Sequence, residues 1–315
     1  MSLRVAVLGA GHFGRFHALK ASRGGPDNPL RLVALHDADP ARAAAVAAEC
    51  GVPALPAAEA IAAAEAVIVA APTRFHAALG RQVLEAGRHL FMEKPIAATL
   101  AEAESLSALA AARGRVLQVG HIERFSAAFR AVVAAQEGSR AVHWEAVRVA
   151  PFRPRSLDVS VVLDLMIHDI DLVLKLAGGL PEKVEAVGAR VMSEHADFAV
   201  ARLGFRGGRA ATITASRVSL AMERRLRVLG GEGEMSVDFL NRSLAVLRRG
   251  GAEEVATMPG YGIDRAGWTE HDSLEAEQAG FAKACAGEAP EVGAAEGIAA
   301  LRVALAVEAA IEAND

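Results

Sequence analysis

The sequence predicts an α/β protein in which a doubly wound parallel sheet is followed by an α+β domain with an open, mostly antiparallel sheet. Three observations predict it. Short apolar runs alternate with helical stretches up to residue 122, runs of strand character follow one another beyond Phe125, and three glycines stand directly after the first apolar run. Alternation of strand and helix is the rhythm of a parallel sheet, whereas strands in succession pair antiparallel. At 315 residues the chain is long for a single core, and it divides at this change of rhythm into residues 1–122 and 123–315.

In the first domain the strands are RVAVLGA, LRLVALHD, AVIVAAP, HLFME and VLQVG. Each is short, apolar and bounded by turn or polar residues. The stretches between them, RFHALKAS, PARAAAVAAEC, RFHAALGRQVLEAG and AEAESLSALAAARG, are long enough and rich enough in alanine and leucine to be helices. The second domain opens with a helix over Ala127–Ala135, the strand VHWEAVRVA and the helix VVLDLMIHDIDLVLKLAGG. Five strands follow, KVEAVGARV, DFAVARLGF, RAATITASR, RRLRVLGG and GEMSVDFL, the second and third joined by the tight turn Arg206-Gly207-Gly208-Arg209. Helices starting near Ser273 and Gly293 close the chain. There is no internal repeat and no low-complexity linker.

Composition excludes several function classes. A net charge of -4 leaves no basic footprint for nucleic acid, and the clusters Arg224, Arg225, Arg227 and Arg248, Arg249 read as solvated strand ends. Charges interrupt the alanine-rich segments before they reach the length of a membrane span. The N-terminus enters a strand without signal-peptide features, so a cytoplasmic protein is expected. Cys50 and Cys285, far apart, suit a reducing compartment and offer neither a disulfide framework nor a zinc site. No metal is expected.

VAVLGAGHFGRFHA places Gly9, Gly11 and Gly14 between a strand and a helix, the context that gives this spacing its meaning. Gly9 permits the turn, Gly11 lets a pyrophosphate approach the backbone, and Gly14 lets the helix pack on the sheet. Asp37, at the end of the second strand, stands where a carboxylate receives the adenosine ribose hydroxyls, favouring NAD over NADP, with His36 and Arg42 beside it. AAPTRFH ends the third strand at the ligand edge of the sheet, where Thr73 and His76 either touch the nicotinamide half or serve as a helix cap and an exposed histidine. Lys94, in HLFMEKPIA, is one of only five lysines among 34 basic residues. In so arginine-rich a chain it points to a compact ammonium of adjustable pKa, with a surface lysine as the alternative. The following Pro95 fixes the turn, as a cis or a trans bond.

The helix Val161–Gly179 carries charges inside an apolar run. Wound at about 100° per residue, Asp164, His168, Asp171 and Lys175 share a stripe roughly 60° wide, with Asp169 elsewhere. So narrow a stripe suits a cavity wall better than a solvated face. Asp164 and His168 stand one turn apart, as a general base and its orienting carboxylate do; a buried structural ion pair fits equally.

Together the glycine loop, AAPTRFH, the EKP of Glu93 to Pro95 and the Asp164-x-x-x-His168 spacing resemble the glucose-fructose oxidoreductase, inositol dehydrogenase and MocA family of NAD(P)-dependent dehydrogenases, over nearly the whole chain. The resemblance implies a Rossmann domain followed by a sheet domain that holds a sugar or polyol between the two. It also implies a homodimer or homotetramer through the sheet, and hydride exchange between a ring carbinol and nicotinamide. It makes Lys94, Asp164 and His168 the catalytic set. The cofactor contacts become Gly9, Gly11, His12, Phe13, Gly14, Asp37, Ala71, Pro72, Thr73, His76, Glu93 and Lys94. His168 then takes the hydroxyl proton, Asp164 orients it or binds substrate, and Lys94 holds the reacting oxygen. Met166, two before the histidine, departs from the small residue of many members. With GHIERF at Gly120 to Phe125, it resembles the branch acting on nucleotide-linked amino sugars, such as UDP-N-acetylglucosamine 3-dehydrogenases, which supply 3-keto sugars for cell-envelope glycan or lipid A synthesis. His121, Arg124, Arg153 and Arg155 are then substrate contacts, the arginines suiting a diphosphate, although each arginine reads equally as a surface residue. The alternatives are a dehydrogenase for a free sugar or inositol, a non-catalytic NAD-binding regulator and, least favoured, a metal hydrolase built on His168, Asp164 and Asp169.

Overall fold

The computed structural model describes residues 2–25, 28–136, 140–154, 157, 159–269 and 271–314. In chain order the elements begin β1 (Leu3–Leu8), α1 (His12–Arg23), β2 (Leu30–His36), α2 (Pro40–Cys50), α3 (Ala57–Ala63), β3 (Ala66–Val69), α4 (His76–Glu85), β4 (His89–Glu93), α5 (Leu100–Ala112) and β5 (Leu117–Gly120). They continue with α6 (Ala127–Gln136), β6 (Ala141–Val149), α7 (Ile167–Ala177), β7 (Lys183–Ala189), β8 (Phe198–Gly204), β9 (Ala210–Ser216), β10 (Glu223–Gly230) and β11 (Gly233–Asp238). The last are β12 (Ser243–Arg249), β13 (Glu253–Glu254), β14 (Tyr261–Gly267), α8 (Ser273–Cys285) and α9 (Ala294–Glu312).

Two compact units result, Met1–Phe125 with Asp272–Ile298, and Ser126–His271 with Ala299–Asp315. They differ from a single division at 122/123, because the chain returns to the first unit at α8. The reason is packing: Phe281 and Ala282 join the core of Val5, Val7, Leu35 and Ile68, and Phe281 meets Phe91 edge to face at 5.6 Å. A fully buried phenylalanine such as Phe281 contributes about 1.5–3 kcal/mol, and nothing in the local sequence of α8 says which core receives it.

In the first unit the parallel sheet runs β2-β1-β3-β4-β5. β3 and β5 are buried along their whole length, as continuous apolar runs must be when both faces of a parallel sheet are covered. Helix starts follow their capping residues. Asp39 accepts the N–H groups of Ala41 and Arg42 ahead of α2, and Thr99 with Glu102 forms a capping box on α5.

The sheet of the second unit runs β13-β14-β12-β11-β10-β6-β9-β8-β7, antiparallel throughout except for the β6–β9 pair. The β8–β9 link uses Gly207 and Gly208 at φ 75° and 74°, where only glycine is unstrained. Trp144, Ala146, Ala201, Ile213 and Leu226 are buried in one core with Ile167, Ile170 and Val173 of α7. Other side chains of the same strands alternate with these. Arg227 is bonded to Glu145 and Glu234, and Arg225 lies 3.6 Å from Glu145. These two arginines are therefore partly buried members of an ion-pair network rather than solvated strand ends. β12, β13 and β14 extend the sheet beyond the strands expected, because YGIDRAG carries no period-2 apolar pattern and is held by pairing with β12.

Candidate active site

Parallel strands open their carboxyl ends to one edge of a sheet, so four loops of the first unit gather there: Gly9 onward after β1, Ala71 to Thr73 after β3, Glu93 to Pro95 at the end of β4, and His121 after β5. The order 2-1-3 puts the topological switch between β1 and β3, where a doubly wound sheet binds its ligand.

The three glycines differ in what requires them. A Cβ on Gly9, at φ 103°, would stand 2.6 Å from the Ala70 carbonyl oxygen, and one on Gly14 would stand 1.9 Å from that of Gly9. The fold itself demands both. A Cβ on Gly11 would meet nothing within 4 Å, so packing does not explain that glycine, and an open backbone at the start of α1 fits a pyrophosphate. His12 and Phe13 are exposed beside it, the His12 ring edge-on to Phe13 at 5.9 Å and to Phe16 at 4.9 Å.

Asp37 accepts the Ala10 N–H at 2.6 Å and the Asp39 N–H at 2.8 Å, and Arg42 Nε lies 3.3 Å from it. Burial pushes its pKa up, but those N–H groups and Arg42 outweigh burial and hold it below the usual carboxylate range. The carboxylate is thus ionised and tied to the glycine loop.

Pro72 leads into a short 3-10 turn at Thr73–Phe75. His76 differs from the expectation that its ring faces a nicotinamide. It is 1% exposed, with Nδ1 2.8 Å from the Pro95 carbonyl and Nε2 2.8 Å from the Ala71 carbonyl. Burial lowers its pKa, against the pull of the two carbonyls. The ring lies between two loops and is closed to a ligand; as a neutral imidazole it donates to one of the two carbonyls, and only as an imidazolium to both. The Lys94–Pro95 bond is cis, and Lys94 is partly exposed, its N–H bonded to Glu93 Oε2 at 3.2 Å.

His121 and Arg124 are both buried, Arg124 in the 3-10 turn Ile122–Phe125, so neither is a loose surface group. Arg153 is exposed, and Arg155 lies outside the described residues.

In the second unit the Asp164–His168 segment departs from regular helix. Val162–Met166 forms a π-turn, with the Ile167 N–H reaching the Val162 carbonyl, before α7 continues. Ser160 starts the segment, its hydroxyl accepting the N–H groups of Val162 and Leu163. Uniform winding therefore fails across this stretch. Asp164 and His168 are partly exposed, whereas Asp171 is buried and Lys175 is exposed, so the four stripe residues do not share one cavity wall. A wider turn inserted in a helix re-aims the side chains around it, and such bulges gather at functional sites. Asp169 is buried and bonded to Arg148 of β6 at 2.7 and 3.0 Å. A carboxylate held bidentate in this way is committed to its arginine, which removes the metal-site reading of Asp169.

Sequence reasoning missed Arg148, His17 and Gln278. His17 carried a signal: with Gly14, Ala18 and Ala21 it lies on the buried stripe of α1, where a histidine needs a partner.

The glycine loop, the ionised Asp37 and the EKP turn occur in a chain whose residues 3–121 match the model for the oxidoreductase family with an NAD-binding Rossmann fold, GFO_IDH_MocA, and whose residues 119–236 match the C-terminal domain of the same family. A UDP-N-acetylglucosamine 3-dehydrogenase from Acidithiobacillus ferrooxidans is 39% identical over 99% of this chain and 98% of its own. This chain belongs to the Gfo/Idh/MocA oxidoreductase family. A solved structure of the Acidithiobacillus enzyme superposes with a TM-score of 0.91 at 38% identity, covering 99% of this chain and 98% of that one. An inositol 2-dehydrogenase from Rhizobium meliloti is 31% identical over 83% of this chain and 81% of its own. The open backbone at Gly11 and the ionised carboxylate of Asp37 fit the pyrophosphate and ribose of a nicotinamide dinucleotide.

Proposed function

We propose that this protein is an NAD-dependent dehydrogenase that oxidises a ring hydroxyl of a nucleotide sugar, with UDP-N-acetylglucosamine converted to its 3-keto form as the best match. Full-length similarity to a UDP-N-acetylglucosamine 3-dehydrogenase carries the reading. NAD is preferred to NADP because an ionised carboxylate at Asp37 repels a 2′-phosphate. Bound NAD supplies the acceptor for the hydride that leaves the carbinol carbon. His168 takes the hydroxyl proton, Asp164 orients that histidine or bonds the substrate, and Lys94 holds the reacting oxygen and favours its developing negative charge. Arg124, Arg153 and Arg155 are the cationic groups assigned to the diphosphate, and His121 is assigned to the substrate as well. The protein acts in the cytoplasm as a homodimer or homotetramer through the second unit's sheet, on which Val187 is 56% exposed.

The test is NADH formation by purified protein given NAD and UDP-N-acetylglucosamine or N-acetylglucosamine, with a 2-oxo acid present to reveal recycling in place. Turnover confined to the UDP-sugar supports the reading, whereas turnover with inositols or free sugars alone replaces it with the inositol-type activity. Loss of turnover in both His168→Ala and Lys94→Ala is expected; wild-type rates in both refute the catalytic set.

A further inference from the structure

A chain of hydrogen bonds in the first unit, buried as far as His17 and part-buried beyond it, ends at the residue before Lys94, and its direction follows from its two ends. The Leu30 N–H can only donate, and it meets Asn28 Oδ1 at 3.2 Å. The Asn28 amide nitrogen then faces Gln278 Oε1 at 2.7 Å, which turns the Gln278 amide nitrogen toward His17 Nδ1 at 3.1 Å and the His17 carbonyl at 3.0 Å. His17 Nδ1 is therefore the acceptor and Nε2 carries the proton. That proton points at Glu93 Oε1, 2.7 Å away, and the other oxygen of the same carboxylate accepts the Lys94 N–H. The carboxylate has little room to turn, since a Cβ on Gly120 would stand 2.9 Å from it. On the other side of Lys94, the Pro95 carbonyl is 2.8 Å from His76. Each histidine comes from a different helix, and each is buried.

We propose that His17 and His76 are positioning residues that bracket Lys94, His17 through the Glu93 carboxylate and His76, with its proton on Nδ1, through the Pro95 carbonyl, so that the lysine backbone is held on both sides. The inference rests on the role given to Lys94 above. A polar chain closed at both ends is rigid because any member that turns leaves a buried donor or acceptor unmet. Rigidity matters where an ammonium must meet one oxygen, for a misplacement of about 1 Å can cost about 10²-fold in rate.

The test uses the full chain with NAD and UDP-N-acetylglucosamine. His17→Leu and His76→Leu are expected to lower kcat by about 10²-fold while KM for the sugar stays near wild type. His17→Gln, whose amide puts a donor near the position of Nε2, is expected to recover most of the loss. Gln278→Met leaves both histidines in place and is expected to lower kcat less. NMR of ¹⁵N-histidine-labelled protein should show His17 as the Nε2–H tautomer, lost in Gln278→Met; this measurement decides the matter where His17→Leu does not fold. Folded leucine variants with wild-type kcat, or a His17 protonated on Nδ1 alone, overturn the inference. Lys94→Met separates the failures. If it keeps turnover, the role of Lys94 falls; if it is inactive while the leucine variants are fully active, only the positioning role falls.

Discussion

Arg148→Met is a substitution for which the structure sets a large expected loss of stability. Arg148 and Asp169 are 4% and 2% exposed, and two charge-assisted bonds of 2.7 and 3.0 Å join the guanidinium of β6 to the carboxylate next to His168. Removing the arginine takes both charge-assisted bonds from a carboxylate that is buried from solvent, at a cost of about 3–5 kcal/mol. For a unit of this size each kcal/mol lowers the melting temperature by about 2–4 °C, so Arg148→Met should melt roughly 10 °C below wild type. Replacing both partners, Arg148→Met with Asp169→Leu, should restore much of the loss, because the desolvation penalty then disappears with the charges. Scanning calorimetry on wild type, both single variants and the double variant gives the coupling directly. Single variants within about 1 kcal/mol of wild type, or a double variant no better than either single, would refute the view that this pair is dry and mutually dependent.

Three further outcomes follow from the same geometry. Gly11→Ala should fold and melt as wild type, because its methyl group enters open space, yet lose NAD affinity in calorimetric titration; Gly14→Ala should be destabilised, because its methyl group meets the Gly9 carbonyl. Asp37→Asn keeps an acceptor for the Ala10 N–H but removes the charge, so the NADP-to-NAD ratio of kcat/KM should rise by about tenfold or more, and an unchanged ratio would remove Asp37 from cofactor choice. Burial works to raise the pKa of Asp197, but the N–H groups of Met192 and Val191, with Arg217 and Ser193, hold it far below the usual range. A depressed folded pKa contributes stability that is complete above the unfolded value and is lost as pH falls below it. Asp197→Asn should therefore weaken the protein at neutral pH and flatten the acid limb of a stability-against-pH curve.

Much of the candidate site was legible before any coordinates. Gly9 and Gly14 announced a strand-to-helix turn, Asp37 stood at the expected strand end, and the rarity of lysine drew attention to Lys94. The buried partners were harder to see. His76 reads as a ligand contact from its place in AAPTRFH, and only the packing of α4 against the loop after β4 turns its ring inward. Asp164 and His168 were visible as a pair, but the π-turn between Val162 and Met166 has no period in the sequence, so uniform winding could not say how Asp164 sits relative to His168, Asp171 and Lys175 of α7.

The sequence by itself determined the order of strands and helices in the first unit, the cofactor loop, the family and the residue types available for catalysis. All of these depend on neighbours close along the chain: periodicity, caps, and glycines at turns. Tertiary structure decided that α8 joins the first core, that YGIDRAG pairs as a strand, that Asp169 belongs to Arg148, and that His17 and His76 flank Lys94. Those outcomes depend on burial, which places polar groups from distant parts of the chain where water cannot serve them and so obliges each to find a partner within the protein.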